Sequence, residues 1–200
     1  MSDECEFAYM PVWELVAKIR GKEISPVELT DYFLARIEKH DAKVNAFLTV
    51  TGDLARAQAK DAEKAVINGE ELGPLHGVPV VVKDNYDTSG MPTTAGTIAL
   101  ATSMPPDDAT QVKRLRDAGA VILGKTNMHE LARGITTIAS YGGQTRNPYN
   151  PRRNPGGSSG GTGAAVAASF AAFGMGSDTC GSIRIPSAHH ALVGLRGTRG

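Results

Sequence analysis

Six consecutive residues, Gly156-Gly157-Ser158-Ser159-Gly160-Gly161, constrain this chain more than any other stretch. They run straight into Thr162–Phe173, where alanine dominates. Small side chains let another backbone come close, so this segment predicts a helix packed tightly on its neighbours. A flexible linker has a similar composition, but this run abuts helix-forming sequence on a chain that looks ordered on both sides. Glycines before a helix also leave N–H groups free to bind phosphate. No lysine or acidic partner follows at a nucleotide-loop spacing, which counts against that reading. The apolar run from Ala164 to Phe173 is too short to span a bilayer.

Short apolar strands alternate with helices over the rest of the chain. Pro11–Arg20 predicts a helix stopped by Gly21. Ser25-Pro26-Val27-Glu28 predicts a capped helix start with proline at the first position, and the helix continues to about His40 with Val27, Thr30, Leu34 and Ile37 on one face. Asn45–Val50 reads as a strand, and Asp53–Asn68 as a helix ended by Gly69. After the turn cluster Gly73–Gly77, Val78–Val82 reads as a buried strand that runs into Lys83. Met91–Pro106 reads as loop, Asp108–Ala118 as an amphipathic helix, Ala120–Leu123 as a buried strand and Asn127–Arg133 as a short helix. Tyr141–Gly161 is a long Gly, Pro, Asn and Ser segment of the kind that carries function. Gly174–Ser177 and Leu192–Gly197 read as strands, with Pro186 opening a helix between them. The pattern predicts an α/β fold: a mixed central sheet covered by helices on both faces. No internal repeat is visible.

Charge narrows the function classes. Lys plus Arg and Asp plus Glu are both 21, so the formal net charge is zero. That offers no footprint for direct nucleic-acid or anionic-membrane binding. Arg146, Arg152 and Arg153 are interrupted by Pro and Asn and read as a solvated loop. Cys5 and Cys180 are far apart, a usage that suits a reducing, cytoplasmic setting. Met1–Met10 is acidic and lacks the apolar core of a secretory signal.

Three places combine a reactive residue with unusual backbone demands. Lys83 ends an apolar strand, where it either snorkels or is desolvated into a usable base. The Ser158–Ser159 pair lies in the glycine run. In Asp178-Thr179-Cys180-Gly181-Ser182-Ile183-Arg184, Gly181 allows a tight bend before Ser182, so that several N–H groups can converge on one point. An ordinary glycine turn has the same sequence character.

Other patterns are decoys. Gly119-x-x-x-x-Gly124-Lys125-Thr126 satisfies the phosphate-loop pattern, the remote alternative of a nucleotide-binding protein. That pattern needs a strand before it and a loop within it; here a helix precedes, and Ala-Val-Ile-Leu wants to be a strand. Adjacent His189 and His190 cannot share a helix face. His129-Glu130 lacks a second histidine at Arg133. No metal site and no cofactor site are expected. Cys180 reads as a small neighbour of Ser182 rather than a nucleophile.

Taken together, the glycine–serine run and Asp178–Arg184 resemble the amidase signature family. Ser158 and Ser182 are 182 − 158 = 24 positions apart, as expected there. Gly73–Pro79 leading into Val82-Lys83-Asp84-Asn85, and Gly119–Glu130, are similar as well. The resemblance covers the chain from about Ser25 onward. It implies a Ser–Ser–Lys triad with Ser182 as nucleophile, Ser158 as bridge and Lys83 as base, Ser159 being a neighbour. It also implies an oxyanion hole from the N–H groups of Thr179, Cys180, Gly181 and Ser182, where the family often has Gly at the Cys180 position.

Physical chemistry fits those roles. A serine hydroxyl needs a base to become a nucleophile. A free lysine, with a pKa of roughly 10.4, is protonated at neutral pH. Burial against Val80–Val82 would lower that value. The expectation is hydrolysis of a carboxamide through a serine acyl-enzyme, acting on a small-molecule amide, with room for a homodimer. The alternative is the glutaminase subunit of a tRNA-dependent amidotransferase; Ile185 in place of glutamine and the neutral charge lean against it. Met128, Tyr141 and Gln144 are candidate pocket residues. The expected organisation is one domain over 1–200, the N-terminal portion of an amidase signature domain, with a helical region at 1–70 and a catalytic core at 71–200.

Overall fold

A computed structural model describes residues 7–198. Cys5 and most of the acidic segment Met1–Met10 lie outside the described residues. Helix α1, Val12–Arg20, buries Leu15 and Ile19, one turn apart, and stops at Gly21. Helix α2, Pro26–Val44, starts where the Ser25 hydroxyl accepts the Val27 and Glu28 N–H groups at 3.0 and 3.3 Å. It ends where Asn45 turns left-handed at φ 56. Its buried face holds Leu29, Thr30, Phe33, Leu34 and Ile37, with Val27 only half-buried. Strand β1 is Phe47–Val50. Helix α3, Gly52–Asn68, buries Ala55, Ala59, Ala62 and Val66 and ends at left-handed Gly69.

Strand β2, Pro79–Lys83, is wholly buried. Helix α4, Thr110–Asp117, leads into β3, Val121–Thr126, which is also wholly buried. Strands β4, Ile138–Ala139, and β5, Gly143–Gln144, form a small antiparallel ladder. Helix α5, Gly160–Ala167, precedes β6, Phe173–Met175, and α6 spans Arg184–His189. The main sheet has the order β1-β3-β2-β6. β2 runs parallel to β3 and to β6, while β1 is antiparallel to β3, so the sheet is mixed as expected.

Register decides which side chains reach the site. Lys83 pairs with Thr126 across β2 and β3. Successive strand residues face opposite sides, so Lys83 and Thr126 share a face and Lys125 points to the other. Thr126 Oγ1 lies 2.6 Å from Thr162 Oγ1 of α5, so α5 covers the Lys83 face. Helices α2 and α3 pack on each other, α2 also on β2 and β3, and α3 on β3.

Four sequence expectations are corrected. Leu192–Gly197 is irregular chain with Val193 and Leu195 exposed, and it pairs with no described strand. Asn127–Arg133 makes only a 3-10 turn at Glu130–Ala132, because Leu131 and Ala132 take left-handed φ of 50 and 56. α5 stops at Ala167 rather than Phe173, just before Ser169 turns left-handed at φ 55. α6 begins at Arg184, two residues before Pro186, whose missing N–H costs nothing in a first turn.

Candidate active site

Lys83 closes β2 with its side chain fully buried. Its Nζ lies 2.7 Å from Ser158 Oγ and 2.8 Å from Ser177 Oγ. Burial pushes the Lys83 pKa down to about 7, against a smaller upward pull from the Asp178 carboxylate. The amine therefore titrates near neutrality, where it can take up and return a proton.

The glycine–serine run is held by close contacts rather than being a linker. The Gly157–Ser158 peptide is cis. A Cβ on Gly160 would run into the Thr137 side chain, and one on Gly161 into the Asn127 carbonyl oxygen. The Gly160 N–H donates to Thr137 Oγ1 at 3.1 Å, and the Gly161 N–H to the Asn127 carbonyl at 3.0 Å. These two N–H groups are thus not free for a phosphate. Ser158 is fully buried, and its carbonyl accepts the His129 N–H at 2.9 Å. Ser159 faces a different partner: its hydroxyl donates to the Ser177 carbonyl at 3.2 Å and accepts the Ser177 N–H at 3.3 Å.

Ser182 sits on the bend after Gly181, half-buried. Its carbonyl accepts the Ser159 N–H at 3.1 Å, which stitches the two serine segments together. Among the described residues, no hydrogen bond joins the Ser182 and Ser158 side chains.

Asp178 organises that bend. Its carboxylate is buried and accepts N–H groups from Gly181 at 2.7 Å, Ile183 at 3.0 Å and Arg184 at 3.3 Å. The Arg184 guanidinium donates to both of its oxygens at 3.1 Å. That pairing, ahead of the backbone donors, holds the Asp178 carboxyl well below the usual carboxylate range. Gly181 takes φ +121, which side-chain-bearing residues rarely adopt. Of the four N–H groups expected to line an oxyanion hole, that of Gly181 donates to Asp178. The N–H groups of Thr179, Cys180 and Ser182 make no internal hydrogen bond among the described residues. Cys180 is exposed.

Lys125 overturns the phosphate-loop reading. It lies in β3 and is fully buried, with Nζ donating to the Tyr86 carbonyl at 2.8 Å and to Thr93 Oγ1 at 2.7 Å. It also pairs with Asp84 at 3.3 Å. Gly124 touches β1, where a Cβ would meet the Thr49 carbonyl oxygen. There is no loop to cradle an anion.

The three candidate pocket residues do not converge. Met128 is fully buried against Gly96, Tyr141 is exposed, and the Gln144 amide is spent on the carbonyls of Thr136, Thr137 and Thr145. A cleft of about 560 Å³ opens instead beside Ser159, Gly176 and Ile183, walled by Val166, Phe173 and Leu192. Among the described residues no cluster of three or more His, Cys, Asp or Glu side chains is placed to hold a metal ion. No described helix is long and apolar enough to cross a membrane.

Sequence reasoning missed Ser177, Asn85 and the role of Asp178. All three flank the motifs it singled out, in Lys83-Asp84-Asn85 and Ser177-Asp178-Thr179. The only signal available was that adjacency.

Comparison with known proteins supplies the family. The family model Amidase matches residues 28–200. The chain belongs to the amidase family, the amidase signature enzymes. It is 46% identical over 195 residues to a glutamyl-tRNA(Gln) amidotransferase subunit of Carboxydothermus hydrogenoformans, covering 98% of this chain and 40% of that protein. It is 50% identical over 187 residues to the protein of the same name from Acidothermus cellulolyticus, covering 94% and 37%. Among solved structures it is similar to the native peptide amidase from Stenotrophomonas maltophilia, with TM-score 0.87, 41% identity and coverage of 92% and 39%. The chain therefore spans about two fifths of the length of the relatives it matches.

Proposed function

We propose that this chain carries the catalytic residues of an amide-bond hydrolase that works through a serine acyl-enzyme. The observation that carries the reading is the buried contact of 2.7 Å between Lys83 Nζ and Ser158 Oγ. Neutral Lys83 accepts the Ser158 proton as Ser158 takes the proton of Ser182. Ser182 Oγ then attacks the amide carbonyl. The developing oxyanion is met by the N–H groups of Thr179, Cys180 and Ser182, while Gly181 supplies the bend. Collapse of the tetrahedral intermediate returns the proton to the leaving nitrogen, and water repeats the cycle on the acyl-enzyme.

For the substrate, the relatives favour the glutaminase reading over a stand-alone linear amidase. Proteins named as this glutamyl-tRNA(Gln) amidotransferase component match nearly the whole chain at 46–51% identity. On this reading the amide opened is that of glutamine, and partner subunits use the ammonia. Ile185, where this reading expects glutamine, packs its side chain on Gly181, where an added Cβ would lie 2.9 Å from Ile185 Cδ1. The linear-amide reading is supported by the peptide amidase likeness.

Two measurements test the proposal. Fluorophosphonate labelling with peptide mapping should mark Ser182, and a label at Cys180 sinks the mechanism. Ammonia release from glutamine should rise when partner subunits are added. Turnover of simple carboxamides, with glutamine ignored in either state, favours the linear amidase.

A further inference from the structure

The hydroxyl of Ser177 is a second neighbour of Lys83 that the triad does not use. We propose that Ser177, held by Asn85, is a positioning residue that aims the lone pair of Lys83 at Ser158. The inference rests on the serine–lysine reading above.

A neutral amine has two N–H donors and one lone pair. Lys83 Nζ has two hydroxyl oxygens within reach, Ser158 at 2.7 Å and Ser177 at 2.8 Å. To take a proton from Ser158, the lone pair must face Ser158, so an N–H must face Ser177. Ser177 must then accept from Lys83 rather than donate to it. A hydroxyl left alone could do either. Asn85 Nδ2 removes that freedom by donating to Ser177 Oγ at 2.9 Å. With Asn85 and Lys83 both donating to it, Ser177 has filled its two lone pairs, and its own proton points away from the amine. The Ser177 backbone is fixed as well, since the Ser159 hydroxyl bonds both its N–H and its carbonyl.

This arrangement has a signed electrostatic consequence. An acceptor on a lysine N–H stabilises the ammonium form more than the neutral amine. Removing Ser177 should therefore lower the Lys83 titration further. Admitting water by loosening the packing should raise it toward the free-lysine value. The charge that acts on Lys83 from the surrounding elements is that of Asp178, after β6. Asp84 and Lys125, at the ends of β2 and β3, pair with each other. α5 and the loop before it present Ser158 and Ser159.

The test measures the rate of fluorophosphonate labelling at Ser182 against pH, together with the pH titration of the Lys83 ε-carbon by NMR. Both use the full chain with wild type, Ser177→Ala, Ser177→Thr and Asn85→Ala. We expect Ser177→Ala to label at least tenfold more slowly on its plateau, with both midpoints shifted to lower pH. Ser177→Thr keeps the hydroxyl and should recover to within about threefold. Asn85→Ala should slow labelling while leaving the fold intact. An unchanged rate and midpoint in Ser177→Ala overturns the inference, and so does a midpoint that moves up. A wild-type chain that takes no label at Ser182 overturns the serine–lysine reading instead. The NMR titration then decides on Ser177 alone: a downward shift supports its contact with the amine, and any other result overturns it.

Discussion

Lys83 and Ser158 are 75 residues apart in sequence, yet their side chains meet at 2.7 Å with neither exposed to solvent. Because that contact is dry, the lysine titrates near neutrality, and its pKa of about 7 sets a pH dependence. If the neutral amine is the base, kcat/KM should climb with pH to a plateau, with a midpoint near 7. Lys83→Met should lower kcat/KM by about 10²–10⁴-fold, the usual contribution of a positioned base. A flat profile between pH 6 and 8 would remove Lys83 from the mechanism.

The same burial makes Lys83 costly to the fold. In the unfolded chain its pKa is roughly 10.4, so between about pH 7 and 10 the unfolded state holds a proton that the folded state lacks. Stability contributed by this group therefore rises with pH across that window and is absent below it. Lys83→Met should stabilise the protein by about 1–2 kcal/mol at pH 6.5, the common trade of activity for stability. The advantage should shrink by pH 9.5. Urea unfolding of both proteins at the two pH values measures it.

Asp178→Asn should damage the bend that carries Ser182. The carboxylate accepts three backbone N–H groups and the Arg184 guanidinium. Weakening that set should cost about 1–3 kcal/mol. The Asp178 carboxyl titrates below its ordinary range, so its stabilisation is present above about pH 4 and is lost as the solution becomes more acidic. Its negative charge also favours protonated Lys83. The substitution should therefore move the rising limb of kcat/KM to lower pH while lowering its plateau. A limb that shifts upward would contradict this coupling.

How much of the fold and site is legible in the sequence depends on whether a feature is local. Lys83 at the end of an apolar strand, the glycine–serine run and the bend before Ser182 each announce themselves within ten residues. Ser177 does not, because its meaning lies in an amine 94 positions away and an amide 92 away. Asp178 reads as an ordinary turn acid until its three backbone donors fold back onto it. The bend has fewer spare N–H groups than its sequence suggests for the same reason. Leu192–Gly197 has strand-like composition, but a strand needs a hydrogen-bonded neighbour and no described strand pairs with it. The helix ends at Ala167 and after Asn127 depend on left-handed Ser169 and Leu131, non-glycine positions that composition does not flag.

Lys125 should behave as a buried structural ion. It pairs with Asp84, whose other oxygen accepts the Thr94 N–H at 2.9 Å and the Thr94 hydroxyl. Burial lowers the Lys125 pKa, and the Asp84 carboxylate opposes that shift. Lys125→Met strands the Asp84 charge and should cost about 3–5 kcal/mol, the range for breaking a buried pair from one side. Magnesium ATP should leave the melting temperature of wild type unmoved. A nucleotide-dependent rise that vanishes in Lys125→Met would restore the phosphate-loop reading.

Glycine substitutions separate close packing from flexibility in the serine run. At Gly161 a methyl group would press on the Asn127 backbone and lie 2.7 Å from the Ala46 carbonyl oxygen. Overpacking of this kind costs about 1–3 kcal/mol, more than the roughly 1 kcal/mol that alanine regains over glycine inside a helix. Gly161→Ala should therefore be destabilised on balance, and labelling of Ser182 should slow because α5 starts directly after the serine pair. Gly197 has nothing within 4 Å of the same added atom, so Gly197→Ala should stay within about 0.5 kcal/mol of wild type. Denaturant midpoints compare the two at constant slope. Equal midpoints would mean that the glycine–serine run is slack after all, and a slack run could not keep Ser158 against Lys83.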